Sequence, residues 1–176
     1  MKSQAEIAGR LTRGNSAQPQ KGTVMRDVEL LLADGSRRLL SALRGRSNLV
    51  MILTAGQDLA GLVTELTAKR DALKENNARV LVITHPEPIS LFEPRPAHSS
   101  HLLARDPDGQ LHRMLGATDA AGNLLPTIYI TDRFGEVFAA FHDPTPAALP
   151  STEEIMQWLE FINQQCEECS PPEWPE

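Results

Sequence analysis

Cysteine is almost absent from this sequence: 176 residues contain two, Cys166 and Cys169. They form a single CxxC near the C-terminal end, which is not the disulfide framework of a small secreted scaffold. Basic charge is also scarce, with 17 lysines and arginines against 23 aspartates and glutamates, a net charge of −6. Nucleic-acid phosphates need a basic surface, so this balance argues against nucleic acid as a partner. Long hydrophobic runs are missing as well. The longest uncharged apolar stretch, residues 49–53, is strand-sized. Lys2, Arg10, Arg13 and Lys21 are not followed by the apolar segment that a secretory signal or a membrane span requires. These absences predict a cytoplasmic protein without a membrane partner. The chain also has no phosphate-binding glycine loop, no serine-nucleophile motif and no dinucleotide fingerprint.

What is present suits one globular domain. A chain of 176 residues buries roughly 70% of its unfolded surface, so it can stand without disulfides or metal. Residues 1–22 read as a flexible arm, because the segment 14–20 is polar and turn-rich with nothing to bury. The folded domain is expected over residues 23–165, with residues 166–176 as a tail carrying the CxxC.

Local patterns predict the elements. Residues 27–32 read as a strand ended by the Asp34-Gly35 turn, and Leu39, Leu40 and Leu43 as a short helix ended by Gly45. Residues 49–53 and 79–84 are apolar without alternation, the pattern of strands covered on both faces. Between them Leu59, Leu62, Val63, Leu66 and Leu73 fall on one helical face, with Asp58 placed to cap the helix and Asn76-Asn77 to end it. Strand, helix and strand make a βαβ unit with parallel strands. A proline-rich stretch follows from His85. Leu102-Leu103-Ala104 reads as a short strand, and Leu111, Met114 and Leu115 as one helical turn closed by Gly116. Residues 127–131 and 136–141 then form a hairpin around residues 132–135. Ser151 and Glu154 make a capping box for a last helix whose apolar stripe runs through Ile155, Trp158, Leu159 and Ile162 toward the cysteines.

A βαβ half followed by a ββα half is an α/β arrangement of thioredoxin-like type: a central mixed β-sheet flanked by helices. The ordered pieces sharpen this reading. They are Asp27-Val28-Glu29-Leu30 with Asp34-Gly35, residues 40–46 leading into the strand at 49–53, Asp106-Pro107-Asp108-Gly109, Leu115-Gly116-Ala117, and residues 126–135. In this order, over about residues 23–141, the sequence resembles the alkyl hydroperoxide reductase and thiol-specific antioxidant family of peroxiredoxin-like redoxins. The resemblance implies a cis-proline at Pro126 facing the reactive cleft, a thiol reductant and a small peroxide as partners, no cofactor, and a homodimer.

The sequence departs from that family at its reactive centre. The family's cysteine follows the strand that residues 49–53 resemble, and here residues 54–61 read Thr-Ala-Gly-Gln-Asp-Leu-Ala-Gly. If Thr54 matches the family's threonine three residues before the cysteine, Gln57 occupies the cysteine's position. An amide has no thiolate to attack a peroxide bond. Thr54, Gln57 and Pro126 therefore mark a cleft without its nucleophile.

Three readings of Cys166 and Cys169 remain open: a redox dithiol, half of a zinc site, or the continuation of an apolar helix stripe. Their position disfavours a fast nucleophile. A helix C-terminal end carries negative dipole, and Glu167, Glu168, Glu160 and Glu173 surround the pair, so all these charges favour the neutral thiol. His98 and His101 are candidate complements for zinc, although a polar loop with two histidines is commonly just solvated. His85 ends a strand at the edge where α/β folds bind ligands, but such a residue more often only begins a loop. Asp106, Asp108, Asp132 and Arg133 read as turn residues. Trp158 reads as core or interface, and Trp174 as a surface or partner contact. Two functions follow: a thiol-dependent oxidoreductase using the C-terminal dithiol, or a non-catalytic thioredoxin-fold binding protein that kept the cleft around Pro126.

Overall fold

The computed structural model describes residues 18–56, 59–86 and 101–165. The apolar runs without alternation become the centre of a seven-stranded sheet, ordered β2-β1-β5-β4-β3-β6-β7. The strands are β1 (Glu29–Leu32), β2 (Arg37–Leu39), β3 (Asn48–Ala55), β4 (Ala78–His85), β5 (His101–Arg105), β6 (Thr127–Thr131) and β7 (Val137–His142). β3, β4 and β5 are parallel to one another, with Val50 opposite Val80 and Val82 opposite Leu103. β6 runs antiparallel to β3, β7 to β6, β1 to β5, and β2 to β1. The sheet is therefore mixed, with the expected βαβ and hairpin halves meeting at β3 and β6.

Strand side chains alternate between two cores, because successive residues point to opposite faces. Val50, Ile52, Val80, Val82, Ile128 and Ile130 face one core, which helices cover with Val63, Leu66, Leu73, Ile155, Leu159 and Ile162. Met51, Leu53, Leu81, Ile83 and Tyr129 face the other, closed by Met25, Leu40, Leu43, Leu111 and Leu115. Burial on both faces explains why β3 and β4 show no polar alternation.

The helices are α1 (Ala60–Ala68), α2 (Arg70–Glu75), α3 (Gln110–Met114) and α4 (Thr152–Asn163). The single helix expected after β3 is two pieces divided at Lys69. Both pieces keep the same apolar stripe, so the periodicity of the sequence cannot reveal the break. The short helix expected around Leu40 is a 3-10 turn over Leu40–Leu43. Asn77, with φ 48°, makes the left-handed step from α2 into β4 that asparagine tolerates. Ser151 caps α4 as expected, its Oγ accepting from Glu154 N at 3.2 Å.

Gln18–Gly22, the end of the expected arm, is fastened to the domain: Gly22 N donates to Val137 O at 2.8 Å. Gly116 makes room for this segment, since a Cβ there would stand 2.8 Å from Gln18 Cα. No helix among the described residues is long and apolar enough to cross a membrane.

Candidate functional site

In a sheet with parallel central strands, loops leaving the carboxyl ends of those strands gather at one edge, where α/β folds place their ligands. Here that edge collects the residues after β3, the end of β4, the turn after β5 and the entry to β6. β3 and β4 are in register to their ends, pairing Ala55 with His85, and Gly56 N donates to His85 O at 2.9 Å. Thr54 is buried, and its hydroxyl donates to Gly56 O at 3.0 Å, shaping the first turn of the loop. Gln57 lies outside the described residues, as do Cys166, Cys169, His98 and Trp174.

Pro126 and Thr127 enter β6 beside Leu53, so Pro126 does stand next to β3 at this edge. Its expected cis bond is not there. The cis peptide among the described residues is His85–Pro86. Thr127 spends its hydroxyl proton on Leu125 O at 3.1 Å and so accepts from His142 Nδ1 at 3.2 Å. Burial pushes the His142 imidazole below its ordinary pKa. The Tyr129 hydroxyl donates to Leu115 O at 2.7 Å, and burial raises its pKa above the usual phenol range.

The densest chemistry at this edge follows β5. Asp106 forms the expected turn, its carbonyl accepting from Gly109 N at 3.2 Å, and it is also buried at 1% exposure beside His112, which is 0% exposed. Its carboxylate accepts from Leu111 N at 3.0 Å, from His112 N at 2.9 Å and from His112 Nδ1 at 2.6 Å. Burial alone would raise the Asp106 pKa. The hydrogen bonds from the His112 ring, the His112 N–H and the Leu111 N–H outweigh it and hold the acid at about 2. Asp106 is thus ionised at neutral pH, and His112 Nδ1 must carry a hydrogen. His112 Nε2 is left buried with no hydrogen-bond partner among the described residues. Leaving such an atom unsatisfied costs about 1–3 kcal/mol.

His85 joins the same residue from the other side. It closes β4, as the sequence implied, and donates from Nδ1 to the Asp106 carbonyl at 2.7 Å. Its ring centre lies 6.0 Å from that of His112, with the planes at 64°. Two imidazoles are therefore anchored by Nδ1 to one aspartate. His112 was missed in the sequence because nothing around it forms a motif. The available signal was an aspartate just upstream of a short helix, a pattern that turn formers share.

The other candidates are structural. Asp132 Oδ1 accepts from Phe134 N at 2.8 Å and from Glu136 N at 2.9 Å, organising the β6–β7 turn as expected. Asp108 accepts from Gln110 N at 3.2 Å in the turn before α3. Arg133 lies over the Phe134 ring, 4.9 Å from its centre. His101 starts β5 opposite Val80, at the far edge of the sheet. Trp158 is half-buried, edge-on to Phe161 at 5.9 Å, with Lys21 Nζ 5.9 Å above its ring.

The amino edge is built differently. Asn48 Nδ2 donates to Asn163 Oδ1 at 3.0 Å, and Asn163 Nδ2 donates to Asn76 O at 3.0 Å. These amides clamp the end of α4 to the starts of β3 and β4. The cysteines follow α4 in sequence, so its last described turn lies at the edge opposite Thr54 and His85.

This sheet order, with β3 paired to β4 on one side and to β6 on the other, defines a thioredoxin-like fold. Its solved neighbours are peroxiredoxins. The chain is similar to peroxidoxin BcpB from Mycobacterium tuberculosis at 17% identity and a TM-score of 0.63, covering 82% of this chain and 99% of that one. It is similar to a thiol peroxidase from Chromobacterium violaceum at 19% identity and a TM-score of 0.63, covering 85% and 91%. Mycobacterium tuberculosis AhpC matches at 14% identity and a TM-score of 0.63, covering 88% and 98%. No protein-family model matches the sequence, and no curated protein does. At these identities the likeness is one of fold, and the fold is the peroxiredoxin-like form of thioredoxin.

Proposed function

We propose that this protein is a thioredoxin-fold binding protein that keeps the peroxiredoxin cleft but does not reduce peroxides in it. One observation carries the reading: from the end of β3 the sequence runs Thr54-Ala55-Gly56-Gln57-Asp58-Leu59-Ala60-Gly61 and holds no cysteine. The carboxyl edge offers hydroxyls and imidazoles, and none of these forms the thiolate that attacks a peroxide bond.

Chain length argues against a loan from the tail. β3 spans eight residues, so its two ends are roughly 23 Å apart at about 3.3 Å per residue. Cys166 follows Asn163 by three residues, and three extended residues reach at most ~10 Å.

The second reading, a thiol-dependent oxidoreductase, rests on the CxxC itself. Cys166 and Cys169 have the spacing of a dithiol that closes to a disulfide, with Glu167 and Glu168 between them. α4 ends at Asn163, so the pair follows the negative end of a helix dipole. Those charges favour a slow dithiol over an activated nucleophile.

The experiment is hydroperoxide consumption with a thiol reductant, for the native chain and for Cys166→Ser with Cys169→Ser. The binding reading expects both chains to match the reductant alone. Consumption by the native chain that disappears in the double variant would establish the oxidoreductase instead.

A further inference from the structure

We propose that the outer face of α4 is a docking groove for residues 1–17 of this same chain, held by apolar contact with Trp158 and Phe161 and by ion pairs with Glu154 and Glu160. The inference goes beyond the reading of the carboxyl edge. The groove stands on the helix layer and shares no residue with Thr54, Pro126 or the two histidines.

Lys21, Glu154, Gln157, Trp158 and Phe161 line an open groove of about 370 Å³. Phe161 is 43% exposed, and among the described residues only Leu39 is a comparably exposed large apolar side chain. The Phe161 ring stands edge-on to Trp158 at 5.9 Å and to Phe138 at 6.3 Å. Phe138 and Trp158 pack against the helix-covered core, so the three rings carry that core out to the surface. An apolar patch rimmed by charged side chains marks a surface that another segment covers.

Charge and reach select the occupant. Glu154 and Glu160 are exposed on α4, and among the described residues neither pairs with a cation. Residues 1–17 carry Lys2, Arg10 and Arg13 against Glu6, so they bring net positive charge to this acidic helix. Their Ile7 and Leu11 stand four apart, the spacing of two side chains on one helical face. Residues 166–176, which follow α4 directly, carry four glutamates and no lysine or arginine, so like charge repels them from the groove. The tether is short. Gly22 N donates to Val137 O at 2.8 Å and Gln18 Nε2 to Thr118 O at 3.3 Å, while Lys21 Nζ stands 5.9 Å from the centre of the Trp158 ring. Leu11 precedes Lys21 by ten residues, a reach of about 35 Å when extended. The twelve residues of α4 span only about 18 Å at ~1.5 Å each. Such a tether holds a segment at an effective concentration in the millimolar range, so weak contacts suffice to seat it.

The test follows Trp158 fluorescence in the full chain carrying Trp174→Phe, which leaves Trp158 as the only tryptophan. Acrylamide, a neutral quencher, reports the exposure of the ring without responding to charge. The variants on that background are Arg10→Glu with Arg13→Glu, Ile7→Ser with Leu11→Ser, and Glu154→Arg with Glu160→Arg. Glu154 and Glu160 are exposed, so their replacement spares the core. Expected is a quenching constant at least ~2-fold higher in each variant, returning toward the starting value when the two charge reversals are combined in one chain. Quenching unchanged by both arm variants would overturn the proposal. So would shielding that fades as the protein is diluted, which would give the groove to a second copy.

Discussion

The two edges of the parallel strands are built from opposite chemistry. At the amino edge, Asn48, Asn76 and Asn163 exchange hydrogen bonds at 3.0–3.2 Å and lock α4 onto the sheet with neutral amides. At the carboxyl edge, one aspartate holds two histidines, His112 by its buried carboxylate and His85 by its backbone carbonyl, and the buried Nε2 of His112 has no hydrogen-bond partner among the described residues. A satisfied amide clamp has one job, which is to close the fold. A buried ionised group is costly to keep unless something uses it. The difference assigns fold closure to the amino edge and leaves the unsatisfied polar chemistry at the carboxyl edge.

The largest effect that can break this comparison is at Asp106. Asp106→Ala removes three hydrogen bonds and leaves His112 buried without its partner, so urea denaturation should show a loss of about 3–5 kcal/mol. A loss below ~1 kcal/mol would mean that the pair is not the buried network described. The next effect is its pH dependence. The folded pKa of Asp106 is about 2 against an ordinary 3.8. The depressed group contributes stability above pH 3.8, and that contribution fades as pH falls through 2. The expected loss is about 2 kcal/mol at 1.36 kcal/mol per unit. Unfolding free energies between pH 4 and 2 should therefore slope down in the native chain and flatten in Asp106→Asn. The amino edge should respond less: Asn163→Ala should cost about 1–2 kcal/mol, with the slope between pH 4 and 2 unchanged. Loss of that slope in Asn163→Ala would merge the two edges.

Much of the sheet was legible because burial on both faces writes itself as unbroken apolar runs, as in residues 49–53 and 79–84. The α4 start was legible because Ser151 and Glu154 stand at fixed spacing, and the β6–β7 turn because Asp132 precedes Gly135. The break at Lys69 was not, since it leaves the apolar stripe undisturbed. Nor was the Asp106–His112 pair. Aspartate before a Pro-Asp-Gly turn looks like a turn former, and only the packing of α3 against the end of β5 makes it a buried anion. The absence of cysteine from residues 54–61 was readable from sequence, because it depends on residue identity alone. The partners of His85 and His112 depend on tertiary contact, which spacing does not encode.

The proposed absence of peroxide chemistry after β3 is measured most directly by hydroperoxide consumption. With a thiol reductant in excess, the native chain and the Cys166→Ser, Cys169→Ser variant should both consume hydroperoxide at the rate of the reductant alone. Faster consumption by the native chain, abolished in the double variant, would contradict the account and give the protein's chemistry to its terminal dithiol.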